Sequence, residues 1–127
     1  MRILIDTHIL IWHLDGDSRL SKKTIEIIEN ENNEIVISVA SLWELAIKIN
    51  SDKFEINITL KDIQQYILNR NVEILNIQFN ALLVFSELVA HHNDPFDRML
   101  ISQSISENIP IISVDRHFPL YPIVLIS

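Results

Sequence analysis

The sequence contains no cysteine and a single glycine, Gly16. Without cysteine the chain can form neither a disulfide nor a thiolate metal site, which fits a cytoplasmic protein without establishing that location. One glycine is too few for the glycine-rich loops that hold phosphates in Walker and Rossmann nucleotide sites. Those two kinds of nucleotide site are therefore excluded.

Long apolar runs and an excess of positive charge are also missing. No run approaches the roughly 20 residues that span a bilayer, and Asp6 interrupts the apolar run that a signal peptide would need. We therefore expect no membrane partner. The net charge of −7 argues against broad electrostatic capture of nucleic acid, and fits a cation site or a basic protein partner.

Apolar residues make up 48% of the 127 positions, which is enough to form the packed core of one domain. We predict a single domain over 1–127. Short apolar runs predict strands at 3–5, 35–37, 72–75, 111–114 and 123–126. Helical patterns lie between them, at 7–14, 22–30, 40–49, 60–69, 79–89 and 95–107. This alternation predicts an α/β fold, a three-layer α/β/α sandwich with a parallel sheet of about five strands.

An acidic residue follows the first predicted strand and another follows the fourth. Asp6 and Asp115 would lie at the carboxyl ends of parallel strands, where α/β sheets bind their ligands. Each could instead simply cap the helix or turn that follows it. Because Thr7 and Ser113 place a small hydroxyl beside each acid, we interpret the two acids as one joint site.

Glu44 is a third candidate, with two structural explanations beside the functional one. Its spacing from Ser41 is that of a capping box, and its spacing from Lys48 is that of a helical ion pair. However, apolar residues surround it, and it lies in the first turns of a helix that follows a strand. That position would bring its carboxylate over the same sheet edge as Asp6.

The most informative motif is Asp94-Pro95-Phe96-Asp97-Arg98. Asp94 is suited to cap the last helix, with Pro95 at the first helical position and Asp97 placed to close a capping box. Two acids three residues apart share one helix face and repel unless a cation lies between them. We therefore prefer Asp97 as a metal ligand and Asp94 as cap and candidate outer-shell ligand, and leave open which is the third ligand.

The histidines predict no zinc site. His91 and His92 are adjacent, so they cannot easily face one metal, and the chain has no pair four residues apart. We expect these two and His117 to be exposed polar loop residues. Trp12 and Trp43 are most simply explained as core or interface aromatics.

Taken in order, four segments resemble the PIN domain and, within that family, the small VapC-type toxins of toxin–antitoxin pairs. They are Ile3-Leu4-Ile5-Asp6-Thr7-His8, Trp43-Glu44-Leu45, His92-Asn93-Asp94-Pro95-Phe96-Asp97-Arg98-Met99-Leu100-Ile101 and Ser113-Val114-Asp115. The resemblance covers essentially the whole chain. It implies a parallel five-stranded α/β/α sandwich with a cluster of acids that binds Mg²⁺ or Mn²⁺. The ligands carried over are Asp6, Glu44, Asp97 and Asp115.

The activity that the resemblance implies is metal-dependent endoribonuclease cleavage of RNA phosphodiester bonds. It also implies a cognate antitoxin protein as partner and a homodimer. Arg98 and Arg116 lie next to acids and are candidates to pair with RNA phosphates, although a surface ion pair explains each equally well. Thr7 and Ser113 match small polar residues beside the family's acids and are further candidates for substrate binding.

Three other functions compete with a toxin nuclease. A free-standing RNA-processing nuclease, or a catalytically silent PIN-like scaffold that binds RNA or protein, would share these motifs. A different α/β enzyme is disfavoured by the residues themselves. Haloacid-dehalogenase phosphatases need an Asp where His8 stands, and receiver domains need paired acids at the first strand and a lysine after a late strand.

Overall fold

The computed structural model describes residues 1–51 and 56–127. The described strands are β1 (Arg2–Ile5), β2 (Glu34–Ser38), β3 (Glu73–Leu75), β4 (Ile111–Ile112) and β5 (Leu125–Ile126). The described helices are α1 (Thr7–Asp15), α2 (Lys22–Glu29), α3 (Val39–Ile49), α4 (Leu60–Asn69), α5 (Phe79–Glu87) and α6 (Pro95–Glu107), with a 3₁₀ turn at Phe118–Leu120. The predicted alternation of strands and helices is confirmed.

The five strands form one parallel sheet in the order β3-β2-β1-β4-β5. Leu4 of the central strand pairs with Val36 on one side and with Ile111 on the other. The chain therefore builds outward from β1 through β2 to β3, and then returns to the opposite side of β1. Open α/β sheets bind ligands at such a switch point, beyond the carboxyl ends of the two strands.

Both faces of the sheet are buried, because successive side chains of each strand point to opposite faces. Ile3 and Ile5 belong to a core cluster that includes residues of α1, α2, α3 and α4. Leu4, between them, belongs to a second cluster with residues of α6, such as Leu100. Helices on both faces of a parallel sheet make the predicted three-layer α/β/α sandwich, which is confirmed.

Two strands are shorter than predicted. The predicted strands at 111–114 and 123–126 shrink to two residues each. The N–H of Ser113 still bonds to the carbonyl of Ile126 on the neighbouring strand (3.2 Å). The N–H of Asp115 instead bonds to the Ser113 hydroxyl (3.0 Å), so the chain leaves the sheet between these two residues. Pro122, which has no N–H, precedes the last strand.

Helix ends follow local sequence signals. Ser21 caps α2, and Thr59 with Asp62 forms a capping box at the start of α4. Gly16 ends α1 in the left-handed conformation (φ 62°), which glycine adopts without steric cost. Within the described ranges, no helix is long and apolar enough to cross a bilayer.

Candidate active site

Asp6 follows β1 directly and is buried, with 3% of its surface exposed. Its Oδ1 accepts the N–H of Ile9 at 2.9 Å, so the residue caps α1. Burial raises the pKa of the Asp6 carboxyl, and hydrogen bonds from Ser113 and Ile9 oppose that rise. The cap and the site at the sheet edge are therefore roles of the same side chain.

Glu44 is equally buried and lies beside the start of α1. Its Oε1 accepts the Thr7 hydroxyl (2.8 Å), and its Oε2 lies 2.7 Å from Lys48 Nζ, which is the predicted ion pair. The predicted Ser41–Glu44 capping box is wrong. Ser38 caps α3 through the N–H two residues on (3.0 Å), while Ser41 lies one turn inside and contacts the Thr7 hydroxyl (2.9 Å).

Asp94 caps α6 as predicted, with Pro95 at the first helical position. Its Oδ1 accepts the N–H groups of Phe96 (2.8 Å) and Asp97 (3.1 Å). Asp97 does not close the predicted capping box, because the Asp94 N–H donates to Nδ1 of His92 (3.1 Å). The Asp97 carboxylate points elsewhere, and its Oδ2 lies 3.1 Å from His92 Nε2.

The electrostatics of Asp97 show how closely the acids approach one another. Burial, together with the negative charges of Asp94, Glu44, Asp6 and Asp115, raises the pKa of its carboxyl to about 8. Carboxylates from the end of β1, from α3, from the start of α6 and from beyond β4 therefore share one region. Negative charge collected in a buried region is costly unless a cation or protons compensate it.

Asp115 closes this cluster from the β4 side. Its Oδ2 lies 3.1 Å from His92 Nε2, and its Oδ1 accepts the backbone N–H of His117 at 2.7 Å. Burial alone would raise the pKa of Asp115. The hydrogen bonds from His117 and His92 outweigh that effect and hold the pKa below its usual value. Asp115 is therefore stabilised as a carboxylate.

The expectation for His92 is wrong: it is not an exposed loop residue but is 9% exposed and lies against Asp97 and Asp115. A sequence signal for this was present, since a histidine two residues before a helix cap can reach the N–H of that cap. His91 is exposed, as predicted. Trp43 is 62% exposed and contacts Phe96 edge-on, so it is not a core residue.

The four candidate substrate-binding residues differ in their surroundings. Arg98 donates to the backbone carbonyls of Leu88, Val89 and His92 (3.2–3.4 Å), which favours a structural role. The hydroxyls of Thr7 and Ser113 are buried and bonded within the site. Arg116 is exposed beside Asp115.

The donor set fits a hard divalent cation. Carboxylate oxygens are the ligands that Mg²⁺ and Mn²⁺ prefer, and Asp6, Glu44, Asp97 and Asp115 would supply them. The chemistry of the donor set supports this fit, since these buried carboxylates lie close enough for their charges, after burial, to raise the pKa of Asp97, and a divalent cation would offset that charge. In the described part of the chain, the group whose ligand atoms lie within 4.8 Å of one another is a different one, His92, Asp115 and His117, which shares only Asp115 with the four acids.

A model of the PIN domain family matches residues 3–123. The fold is similar to that of VapBC2 from Rickettsia felis bound to a promoter DNA fragment, with a TM-score of 0.76, 21% identity, and 99% of this chain and 98% of that chain covered. DNA-bound VapBC from Salmonella typhimurium gives a TM-score of 0.74 and 20% identity over 100% and 97% of the two chains.

VapBC-5 from Mycobacterium tuberculosis, described as a member of the VapBC family of toxin–antitoxin systems, gives a TM-score of 0.63 and 13% identity over 98% and 95% of the chains. At these identities the structural similarity shows a common fold. No curated protein sequence is significantly similar to this chain.

Proposed function

Since the chain belongs to the PIN domain family, a family of nucleases, we propose that it is an Mg²⁺- or Mn²⁺-dependent endoribonuclease that hydrolyses RNA phosphodiester bonds. The observation that carries this proposal is the convergence of acids on Asp97, whose pKa they raise together with burial. Hydrolysis of a phosphodiester needs concentrated positive charge beside the scissile phosphate. A buried acid cluster supplies that charge only by holding metal ions.

Each acid has a proposed role. Asp6, at the end of the central strand, would hold the divalent cation together with Asp97 and Asp115. Glu44, held in place by Thr7 and Lys48, would be a direct or water-mediated ligand. When bound, the ions supply the Lewis acidity for in-line hydrolysis. The chain's net negative charge means that these ions and a local basic rim must hold the RNA.

We further propose that residues 1–127 form a single-domain cytoplasmic toxin that acts as a homodimer and is inhibited by a cognate antitoxin. The similar solved structures are VapBC complexes, which supports an antitoxin partner. The family model covers nearly the whole chain, which supports one domain. Light scattering tests the dimer. Inhibition by the product of an adjacent short reading frame separates a toxin from a free-standing RNA-processing nuclease.

The decisive experiment measures cleavage of RNAs that contain single-stranded loops, and compares it with cleavage of single-stranded DNA of the same sequence. Each substrate is tested in Mg²⁺, in Mn²⁺ and in EDTA. Asp6→Asn should abolish cleavage and still fold, because asparagine also caps helices well. Asp15→Asn is the matched control, since Asp15 is exposed at the far end of the same helix. It should cleave as the wild type does.

Two results would contradict the nuclease. Equal cleavage by the wild type and Asp6→Asn would identify a contaminating enzyme. A wild type that binds no Mn²⁺ in isothermal titration would favour the silent scaffold. Preferential cleavage of DNA would be consistent with the acid site but would contradict RNA as the substrate.

A further inference from the structure

His92 lies against two members of the acid cluster, in the segment between α5 and α6. Its Nε2 is 3.1 Å from Oδ2 of Asp97 and 3.1 Å from Oδ2 of Asp115. These two acids come from different elements, the first turn of α6 and the loop after β4. The imidazole is therefore the group that both of their carboxylates face.

The other ring nitrogen shows which role the imidazole has. The backbone N–H of Asp94 donates to Nδ1 at 3.1 Å, so Nδ1 presents a lone pair. A neutral imidazole with a lone pair on Nδ1 carries its proton on Nε2. Nε2 thus donates its one proton to Oδ2 of Asp115, with Oδ2 of Asp97 in contact at the same distance, and it has no lone pair with which to bind a metal. Ligation through Nε2 would require a proton on Nδ1, pointing at the Asp94 N–H.

The backbone that carries His92 is fastened independently. The Tyr121 hydroxyl oxygen accepts the N–H groups of His91 (3.0 Å) and His92 (2.8 Å), and the hydroxyl donates to Val89 (2.7 Å). Arg98 donates to the carbonyl of His92 at 3.2 Å. With both its backbone and its Nδ1 held, the ring has a fixed direction, and its Nε2–H can fix the direction of the carboxylates.

We propose that His92 is a positioning residue of the metal site, whose Nε2 bonds to Oδ2 of Asp115 and contacts Oδ2 of Asp97, and so holds the two carboxylates with their remaining oxygens toward one cation. This inference rests on the proposed function, since it assigns those two acids to the metal. It differs from a site in which His92, Asp115 and His117 bind a metal directly. Groups that orient metal ligands commonly change metal affinity about 10- to 100-fold when they are removed.

The test compares Mn²⁺ affinity, by isothermal titration, across variants of the full chain. His92→Phe and His92→Met keep the bulk and remove the donor, and each should weaken Mn²⁺ binding about tenfold or more. His92→Gln places an amide N–H near the position of Nε2, and should restore affinity to within about threefold of the wild type. RNA cleavage by His92→Phe should need more Mn²⁺ for half-maximal rate, and approach the wild-type rate at saturation.

Two further histidines supply the comparison. His91→Phe is the matched control, because His91 is adjacent and exposed. His117→Phe removes a ring nitrogen 3.2 Å from Asp115 but keeps the 2.7 Å backbone bond. Both should bind Mn²⁺ within about threefold of the wild type, since neither removes the donor that joins two ligands. Urea unfolding in EDTA shows whether each variant is folded, and His92→Met replaces His92→Phe if the latter is not.

Each result has one meaning. Wild-type affinity in both donor-less variants overturns the inference. The inference is also overturned if Mn²⁺ affinity falls as much in His92→Gln as in His92→Phe and falls in His117→Phe too. That result would identify the histidines as direct metal ligands. A large loss in His92→Gln alone overturns the inference as well, because a donor would then be insufficient. If the wild type does not bind Mn²⁺, the proposed function and this inference are both overturned. If the wild type binds Mn²⁺ and Asp6→Asn does not, the proposed function stands whatever the His92 variants show.

Discussion

Asp97→Asn should make the metal-free protein more stable, by an amount that grows with pH. In the folded chain, burial and the neighbouring acids raise the pKa of Asp97 to about 8, from the ordinary value of 3.8 for an aspartate. A carboxyl whose pKa is raised by folding contributes stability that is fully present below its unfolded pKa. That stability is lost as the pH rises toward the folded pKa. Asparagine is neutral in both states and has no such dependence.

The size of the effect follows from the two pKa values. Each unit of difference corresponds to about 1.4 kcal/mol. Between pH 5 and pH 8.5 the wild type should lose at most about 4 kcal/mol through this group, by proton linkage. Because neighbouring carboxyls respond by taking up protons, we expect roughly 2 kcal/mol in practice. Asp97→Asn should therefore gain this amount over the wild type between the two pH values.

Urea unfolding in EDTA, followed by circular dichroism at pH 5 and pH 8.5, measures the difference. Asp15→Asn, at an exposed position, should differ from the wild type by less than about 0.5 kcal/mol at either pH. Saturating Mn²⁺ should reverse the order, stabilising the wild type by about 2.7 kcal/mol at 100 times the dissociation constant. A pH-independent difference between Asp97→Asn and the wild type would refute the crowding of acids around Asp97.

Three further predictions use the same site. Because Asp97 holds a proton near neutral pH, Mn²⁺ binding at pH 7 should release about one proton. Calorimetry in two buffers of different ionisation enthalpy should detect the released proton as a difference in binding heat, and equal heats would contradict this prediction. Asp94→Ser keeps a cap oxygen and should bind Mn²⁺ as the wild type does, while Asp94→Ala should lose about 1 kcal/mol of stability in urea. Loss of binding in Asp94→Ser would make Asp94 the third ligand. Arg98→Met should lower the unfolding free energy by about 2 kcal/mol, because it removes the hydrogen bonds to three backbone carbonyls. Unchanged stability together with weaker RNA binding would instead indicate that Arg98 binds an RNA phosphate.

Features that depend on a few neighbouring residues were predictable. The apolar run ending at Asp6 predicts a buried strand, and Asp94 with Pro95 predicts the start of α6; both are present in the structure. Hydrophobic pattern and cap chemistry act within a few residues, so the sequence displays them directly. The position of Asp6 and Asp115 beyond the ends of parallel strands followed from the same pattern.

Tertiary structure decided what depends on residues distant in the chain. His92 was expected to be exposed, and Arg98 was a candidate to bind an RNA phosphate. The partners of His92 include Asp115 and Tyr121, which are 23 and 29 residues away along the chain. The partners of Arg98 are backbone carbonyls of the segment that precedes α6. The order β3-β2-β1-β4-β5, which brings the end of β4 beside that of β1, is also a packing outcome.

The sequence alone thus determined the secondary structure, the class of sheet and the acids that end its strands, because local pattern and chain direction suffice for these. Only the folded chain decided that one histidine would lie between two of the acids. The contact of its ring with the Asp94 N–H is local, but the Asp115 carboxylate that the ring meets and the Tyr121 hydroxyl that holds its backbone are 23 and 29 residues away, and no local pattern encodes contacts at such separations.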